Sequence, residues 1–256
     1  MNTTQLTEEL NNINHLRKRN LFTVVEAEVN SLCNRKCSYC PVSILPKPSV
    51  PRYMSQNVFN RLISELKKIK FSGRFSYQFY NEPLLRRDLE NLVQQVSREL
   101  PDTYQALYTN GDLLSEERYQ QLKEAGIAHF IVTRHDFSPI PEREVQTVLL
   151  PTDLQLTNRG GIMSNLSESI TLPCYAPSEM LIVTVTGDVV LCYEDAKRTQ
   201  VMGNILESSI EEIWFSQDFV ELRKSLVKGN RDKAASICKN CSNQAHHQPN
   251  TSWFAL

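Results

Sequence analysis

Residues 21–40 read LFTVVEAEVNSLCNRKCSYC. Leu21 to Val29 is apolar and valine-rich apart from Thr23, Glu26 and Glu28, the composition of a strand. The strand runs into Cys33, Cys37 and Cys40, three thiols on one short loop. Soft thiolates this close together favour iron–sulfur clusters or zinc. Three of them can ligate three irons of a cubane cluster and leave the fourth iron open to a small chelating molecule. A structural zinc requires a fourth ligand, and none stands beside this loop. Buried structural cysteines are the plain alternative.

The chain has 256 residues and seven cysteines, and the remaining four are Cys174, Cys192, Cys238 and Cys241. An odd count argues against a disulfide framework, and the polar residues 1–20 lack the apolar core of a signal peptide. Three plus four cysteines point to two metal sites in a cytoplasmic protein. Hydrophobic residues make up 41% and charged residues 22%, which excludes wholesale disorder. A net charge of −1 gives no general pull toward nucleic acid or an anionic membrane, and no apolar run is long enough to span a bilayer.

Working outward, Ser55 is the expected cap of a helix through Lys70, with Val58, Leu62 and Leu66 on one face. RFSYQFY (74–80) reads as a strand, 87–99 as a helix and YQALYT (104–109) as a strand. A helix from Ser115 stops at Gly126, and HFIVT (129–133) follows as another strand. This alternation predicts parallel strands with crossover helices, and both a barrel and an open sheet satisfy it. Residues 136–152, broken by prolines, read as an irregular excursion, with a strand expected near 153–157. Beyond 170 the pattern predicts a β-hairpin turning at Gly187-Asp188, then a helix capped by Ser208 or Ser209 and running through Trp214 and Leu222. The residues after Cys241 read as a polar tail.

Cys33-x3-Cys37-x2-Cys40, with Tyr39 before the last cysteine, resembles the signature of radical S-adenosylmethionine (radical SAM) enzymes. Asn81-Glu82-Pro83 after a strand resembles that family's Gly-Gly-Glu-Pro motif, with Asn81 in place of the second glycine. The order Cys174, Gly187-Asp188…Cys192, Gly203-Asn204-Ile205, Cys238-x2-Cys241 resembles the family's shortened auxiliary-cluster domain, called twitch. The resemblance implies an α/β fold: a partial (β/α) TIM-like barrel over 21–168 and a small hairpin–helix twitch domain over 169–256, after a polar extension over 1–20. It implies two 4Fe–4S clusters, one held by Cys33, Cys37 and Cys40 and one closed by Cys174, Cys192, Cys238 and Cys241. It also implies S-adenosyl-L-methionine, bordered by Tyr39, Asn81, Glu82, Pro83, Asn110 and His135. A structural zinc on the four later cysteines is the competing reading.

From about Val25 to about Cys241 the chain is similar to an alcohol-oxidising member of the family, an oxidoreductase of antibiotic biosynthesis that acts on an aminocyclitol. The expected reaction is oxidation of a secondary alcohol of a small polyhydroxylated substrate to a ketone. Hydrogen is taken by a 5′-deoxyadenosyl radical and the remaining electron passes to the auxiliary cluster. Glu26 and Glu28, two apart on a strand, are expected to share a polar cavity. Tyr80 and Tyr108 fall at later strand ends, where barrel enzymes place functional groups. Arg159, between Asn158 and two glycines, is implied to contact substrate. Tyr193 and Glu194, after Cys192, are expected between the auxiliary cluster and the pocket. His15, His246 and His247 lie in polar segments and are not expected in a site. The expected partners are the small-molecule substrate and an external one-electron reductant such as flavodoxin or ferredoxin, with no nucleic acid and no membrane. The rivals are a peptide-modifying radical enzyme and a non-catalytic cluster- or zinc-binding module.

Overall fold

The computed structural model describes residues 21–46, 52–136, 138–163 and 168–250; the extension over 1–20 and residues 251–256 lie outside the described residues. β1 (Val24–Ala27) is buried along its whole length. Strand alternation gives it two different faces. Val25 and Ala27 enter the main core with the helices, whereas Val24 joins Ala176, Met180 and Cys192 in a small separate cluster. Glu26 therefore points to the cysteine-bearing side of the sheet.

β1, β2 (Arg74–Ser76), β3 (Tyr104–Thr109), β4 (His129–Thr133) and β5 (Gln146–Leu149) pair in parallel in that order. β6 (Met180–Val183) adds in parallel on the other side of β1. β7 (Asp188–Val190) and β8 (Val201–Asn204) then extend the sheet in antiparallel fashion. The eight strands form one open sheet with β5 and β8 at its edges, a partial (β/α) barrel. The sheet is continuous across the boundary expected at 168/169.

Helices α1 (Gln56–Lys68), α2 (Leu89–Glu99) and α3 (Glu116–Ala125) make the first three crossovers. Ser55 caps α1 by accepting from Val58 N, and Ser115 caps α3 by accepting from Arg118 N. α1 buries Val58, Phe59, Leu62, Ile63 and Leu66 in one stripe, as its periodicity predicts.

Two expectations fail between 136 and 157. The excursion contains β5, whose Gln146 to Leu149 pair with Phe130 to Thr133. The strand expected near 153–157 is instead a single 3₁₀ turn, Pro151–Asp153, followed by irregular chain. The prolines flank β5 rather than interrupt it, and the bare edge of β4 recruits a segment of mixed polarity. After α4 (Ala176–Glu179), the β6–β7 hairpin turns at Gly187, which takes φ 88°. Ser209 caps α5 (Ile210–Trp214) in a capping box with Glu212. The chain breaks at Phe215-Ser216 before α6 (Gln217–Val227), so the single expected helix is two; α7 (Ser236–Asn240) carries Cys238. Among the described residues no helix is long and apolar enough to cross a membrane.

Candidate active site and iron–sulfur centres

The three-cysteine loop leaves β1 at the C-terminal end of the parallel strands and opens onto a cleft of about 640 Å³. Cys33, Cys37 and Cys40 all line it and are partly exposed. Burial pushes all three thiols up, and each also feels another: Cys37 acts on Cys33, Cys40 on Cys37 and Cys33 on Cys40. Three soft donors around one opening fit a metal cluster, which binds them as thiolates. The loop is fastened to the ends of β3 and β4 by Arg35, whose guanidinium grips Asp112 and lies 2.7 Å from Asp136.

Of the residues expected around S-adenosyl-L-methionine, Tyr39, Asn81, Glu82, Asn110 and His135 line this cleft and Pro83 does not. Tyr39 hydroxyl pairs with His135 Nδ1, and burial lowers the His135 pKa. Glu82 is buried; its carboxylate accepts from Thr109 Oγ1 at 2.8 Å, Asn110 N at 2.7 Å and Leu84 N at 3.0 Å. That side chain is a clamp between the strand-end turn and β3 rather than a free ligand. Pro83 is buried at the start of the 3₁₀ turn Pro83–Leu85. Asn81 turns back on its own loop, accepting from Phe79 N at 2.7 Å and donating to Tyr77 O at 3.2 Å. An asparagine in place of glycine is thus accommodated by local hydrogen bonds. Asn110 lines the cleft but gives its amide to Asn34 Oδ1 at 2.8 Å.

Glu26, Tyr80, Tyr108, Arg159, Tyr193 and Glu194 also line the cleft. Burial raises the Glu26 pKa from an ordinary 4.5 to about 7, against the opposing pull of Arg74 and Arg159. The three tyrosine hydroxyls are engaged: Tyr80 donates to Tyr193 O at 2.7 Å, Tyr108 accepts from Arg74 at 2.7 Å, and Tyr193 bonds His246 Nε2 at 2.7 Å. Glu194 accepts from Thr157 Oγ1 at 3.0 Å and Asn243 Nδ2 at 2.7 Å. Arg159 approaches Glu194 only at 3.4 Å, and its buried Nε has no hydrogen-bond partner among the described residues.

Glu28 departs from expectation. Alternation ends with β1 at Ala27, and the next carboxylate turns to the β6–β7 hairpin. It accepts from Val185 N at 3.0 Å and from Arg198 at 2.7 and 2.8 Å. It does not line the cleft.

Cys174, Cys192, Cys238 and Cys241 border a second, narrow cavity. Burial pushes all four thiols up, Cys238 and Cys241 to about 12, and the neighbouring thiols add to the shift at Cys192. Four thiols around one cavity are the number that a fully ligated 4Fe–4S cluster requires. Buried Arg231 ties the site together by donating to Leu172 O at 2.7 Å and Asn243 O at 3.0 Å.

Several residues here escape a reading of the sequence. His246, in what reads as a polar tail, is 1% exposed, and burial lowers its pKa to about 4. Asn243 bridges Tyr193 hydroxyl and Glu194. Arg74 lies inside the sheet beneath Tyr108. A charged residue opening an expected strand was the one available signal, and only for Arg74.

Residues 28–149 match the radical SAM superfamily and residues 174–242 match the SPASM iron–sulfur cluster-binding domain. The chain is 39% identical over 236 residues to the S-adenosyl-L-methionine-dependent 2-deoxy-scyllo-inosamine dehydrogenase of Niallia circulans, covering 87% of this chain and 94% of that enzyme. The crystal structure of BtrN in complex with AdoMet and 2-DOIA superposes with a TM-score of 0.86 at 38% identity, over 93% of this chain and 99% of BtrN. The GTP 3′,8-cyclase of Aquifex aeolicus is 30% identical over 123 residues, which is 45% of this chain and 36% of the cyclase. Three thiols at a cleft, four more around a neighbouring cavity and a likeness that runs nearly end to end lead to one assignment: the chain belongs to the radical SAM superfamily, as a relative of the 2-deoxy-scyllo-inosamine dehydrogenase, and carries 4Fe–4S chemistry in both its parts.

Proposed function

We infer that the chain is a radical SAM dehydrogenase that oxidises a secondary alcohol of a small, aminocyclitol-like ring to a ketone. The observation that carries this reading is a shared wall: Tyr193, Glu194 and Asn243 border both the cleft and the four-thiol cavity. A substrate in the cleft then lies between the place where hydrogen is removed and the place where the remaining electron is accepted. When bound, the clusters and S-adenosyl-L-methionine supply the initiating electron, the hydrogen-abstracting 5′-deoxyadenosyl radical and the final electron acceptor.

The chain's own residues bind and orient. Cys33, Cys37 and Cys40 hold the first cluster; Cys174, Cys192, Cys238 and Cys241 hold the second. Tyr39, His135, Asn110 and the Asn81–Pro83 turn border S-adenosyl-L-methionine. Arg159 presents its fork to ring hydroxyls, while Glu26 and Glu194 accept from hydroxyl or ammonium groups. Tyr80, Tyr108 and Tyr193, with their hydroxyls occupied, shape the wall. Residues 21–168 thus carry the radical chemistry and 169–256 the electron acceptor. The cleft volume of about 640 Å³ suits small molecules. Thiolate-held clusters require a reducing compartment, which supports a cytoplasmic location and a soluble one-electron carrier such as flavodoxin or ferredoxin as partner.

The test is anaerobic turnover of the reconstituted protein with S-adenosyl-L-methionine, dithionite and the relative's substrate, 2-deoxy-scyllo-inosamine. Ketone and 5′-deoxyadenosine are expected in equal amounts. Formation of 5′-deoxyadenosine with no ketone from this or any other aminocyclitol overturns the reading.

A further inference from the structure

Arg159 adopts φ 48°, a left-handed conformation that an arginine enters only when its surroundings impose it. Its side chain does not supply the restraint, because its contact with Glu194 is long at 3.4 Å. The neighbouring Asn158 does. Asn158 is 4% exposed, and its hydrogen bonds run to two places. Within the turn, its carbonyl accepts from Gly161 N at 3.0 Å and Met163 N at 2.8 Å, and its Oδ1 also accepts from Gly161 N at 3.2 Å. Across to the auxiliary cysteine loop, Nδ2 donates to Asn240 O at 2.6 Å, Oδ1 accepts from Ser242 N at 3.0 Å, and the backbone N donates to Ser242 Oγ at 2.8 Å. Those three contacts flank Cys241 on both sides.

The two glycines press the same turn onto the same loop. A Cβ at Gly161 would come within 2.9 Å of Asn240 Cβ, and one at Gly160 within 3.3 Å of Ile237 Cβ. Both neighbours belong to α7, the five-residue helix that carries Cys238. A helix that short has little stability of its own, whereas metal binding to its Cys238 and to Cys241 just beyond it contributes folding energy. The part of the molecule that aims Arg159 is therefore the part that the second cluster holds together.

We propose that Asn158 is a positioning residue: it transmits the order of the auxiliary cysteine loop to the Arg159 turn, so that filling the four-thiol site sets the aim of Arg159 into the cleft. The proposal rests on the reading of Arg159 as substrate-facing, but its structural half does not require any turnover.

Amide hydrogen exchange reads that half directly. In the iron-loaded protein, Asn158→Ala is expected to speed exchange at Gly161 and Met163 by at least about tenfold, with iron content unchanged. Anaerobic removal of iron from the wild type is expected to produce the same rise while β1–β4 amides stay protected; in the variant it adds nothing at these two amides. An unchanged turn in iron-free wild type, or an equal further rise in the variant, overturns the proposal. Should Asn158→Ala fail to take up iron, Asn158→Asp serves, since it keeps the acceptor to Ser242 N but loses the donor to Asn240 O. The catalytic half is a double-mutant cycle on ketone formed per 5′-deoxyadenosine. Asn158→Ala is expected to lower this ratio, by up to about 100-fold for a displacement near 1 Å. The double variant Asn158→Ala/Arg159→Ala is expected to match Arg159→Ala alone within about twofold. Multiplicative losses would show that Asn158 does not act through Arg159. If the wild type makes no ketone, the dehydrogenase reading fails while the exchange result still decides the clamp.

Discussion

Arg159 and Glu26 are the two cleft residues whose chemistry depends most on what the protein withholds from them. Arg159 lines the cleft, where its guanidinium makes one long contact, Nη1 to Glu194 at 3.4 Å. Arg159→Lys keeps the charge and loses the planar pair of donors. The expected result is a drop of at least about tenfold in ketone per 5′-deoxyadenosine, since one charge-assisted contact is worth about 1.5–3 kcal/mol. S-adenosyl-L-methionine affinity, measured alongside, is expected to stay at the wild-type value. Glu26 yields a pH effect. Burial raises its pKa from 4.5 to about 7, so the folded chain holds the proton that the unfolded chain has released across that window. Folded-state stability therefore falls as pH rises from 4.5 toward 7 and levels off above it. Glu26→Gln lacks this loss. Between pH 6 and pH 8.5 its thermal midpoint is expected to gain on the wild type by about 2–4 °C, equivalent to about 1 kcal/mol. A difference that does not change with pH would mean that Glu26 is already ionised throughout.

A buried ion pair joins two elements that the strand ladders alone do not tie. Glu28, 1% exposed at the end of β1, receives Arg198 from the connection between β7 and β8. This contact fastens the C-terminal hairpin across the first strand just before the cysteine loop begins. Arg198→Ala leaves Glu28 with only Val185 N, and removing one member of a buried pair costs about 3 kcal/mol or more. A fall of about 6–12 °C in the thermal midpoint is expected. Iron uptake at the four-thiol site, read by absorbance, should fall with it, because β6 and β7 lead to Cys192. An unchanged midpoint would mean that Glu28 is neutral in the fold. Helix ends, by contrast, are local matters: Ser55, Ser115 and Ser209 cap where their spacing from the next apolar stripe requires.

At the scale of the molecule, one sheet carries two cysteine sets on one side, and they meet at Tyr193, Glu194 and Asn243. Wild type is expected to hold about eight irons, four in each 4Fe–4S cluster. Replacing Cys33, Cys37 and Cys40 together by alanine is expected to halve the iron and abolish S-adenosyl-L-methionine cleavage. Replacing Cys238 and Cys241 should also halve it, but leave cleavage and remove most ketone formation. Zinc in place of iron would overturn the cluster assignment of the second site, and full ketone yield without the second set would show that the electron leaves by another route.

The sequence by itself determined what depends on neighbours along the chain. Spacing alone puts three thiols on one loop, periodicity marks α1, composition marks β3 and β4, and the end signals Ser115 and Gly126 mark α3, because those signals need only a few consecutive residues. The tertiary structure decided everything set by contacts far apart in sequence. Glu26 and Glu28 look equivalent on paper, yet one faces the cleft and the other meets Arg198, 170 positions away. β5 holds the β-branched Thr147 and Val148, but four residues between prolines become a strand only because the edge of β4 offers them a partner. Asn243 and His246 read as tail residues, and become wall and support only when Cys238 and Cys241 draw that segment under Tyr193. Asn158 belongs with them: its three bonds to residues 240 and 242 cross more than 80 positions, a distance over which no local pattern carries information.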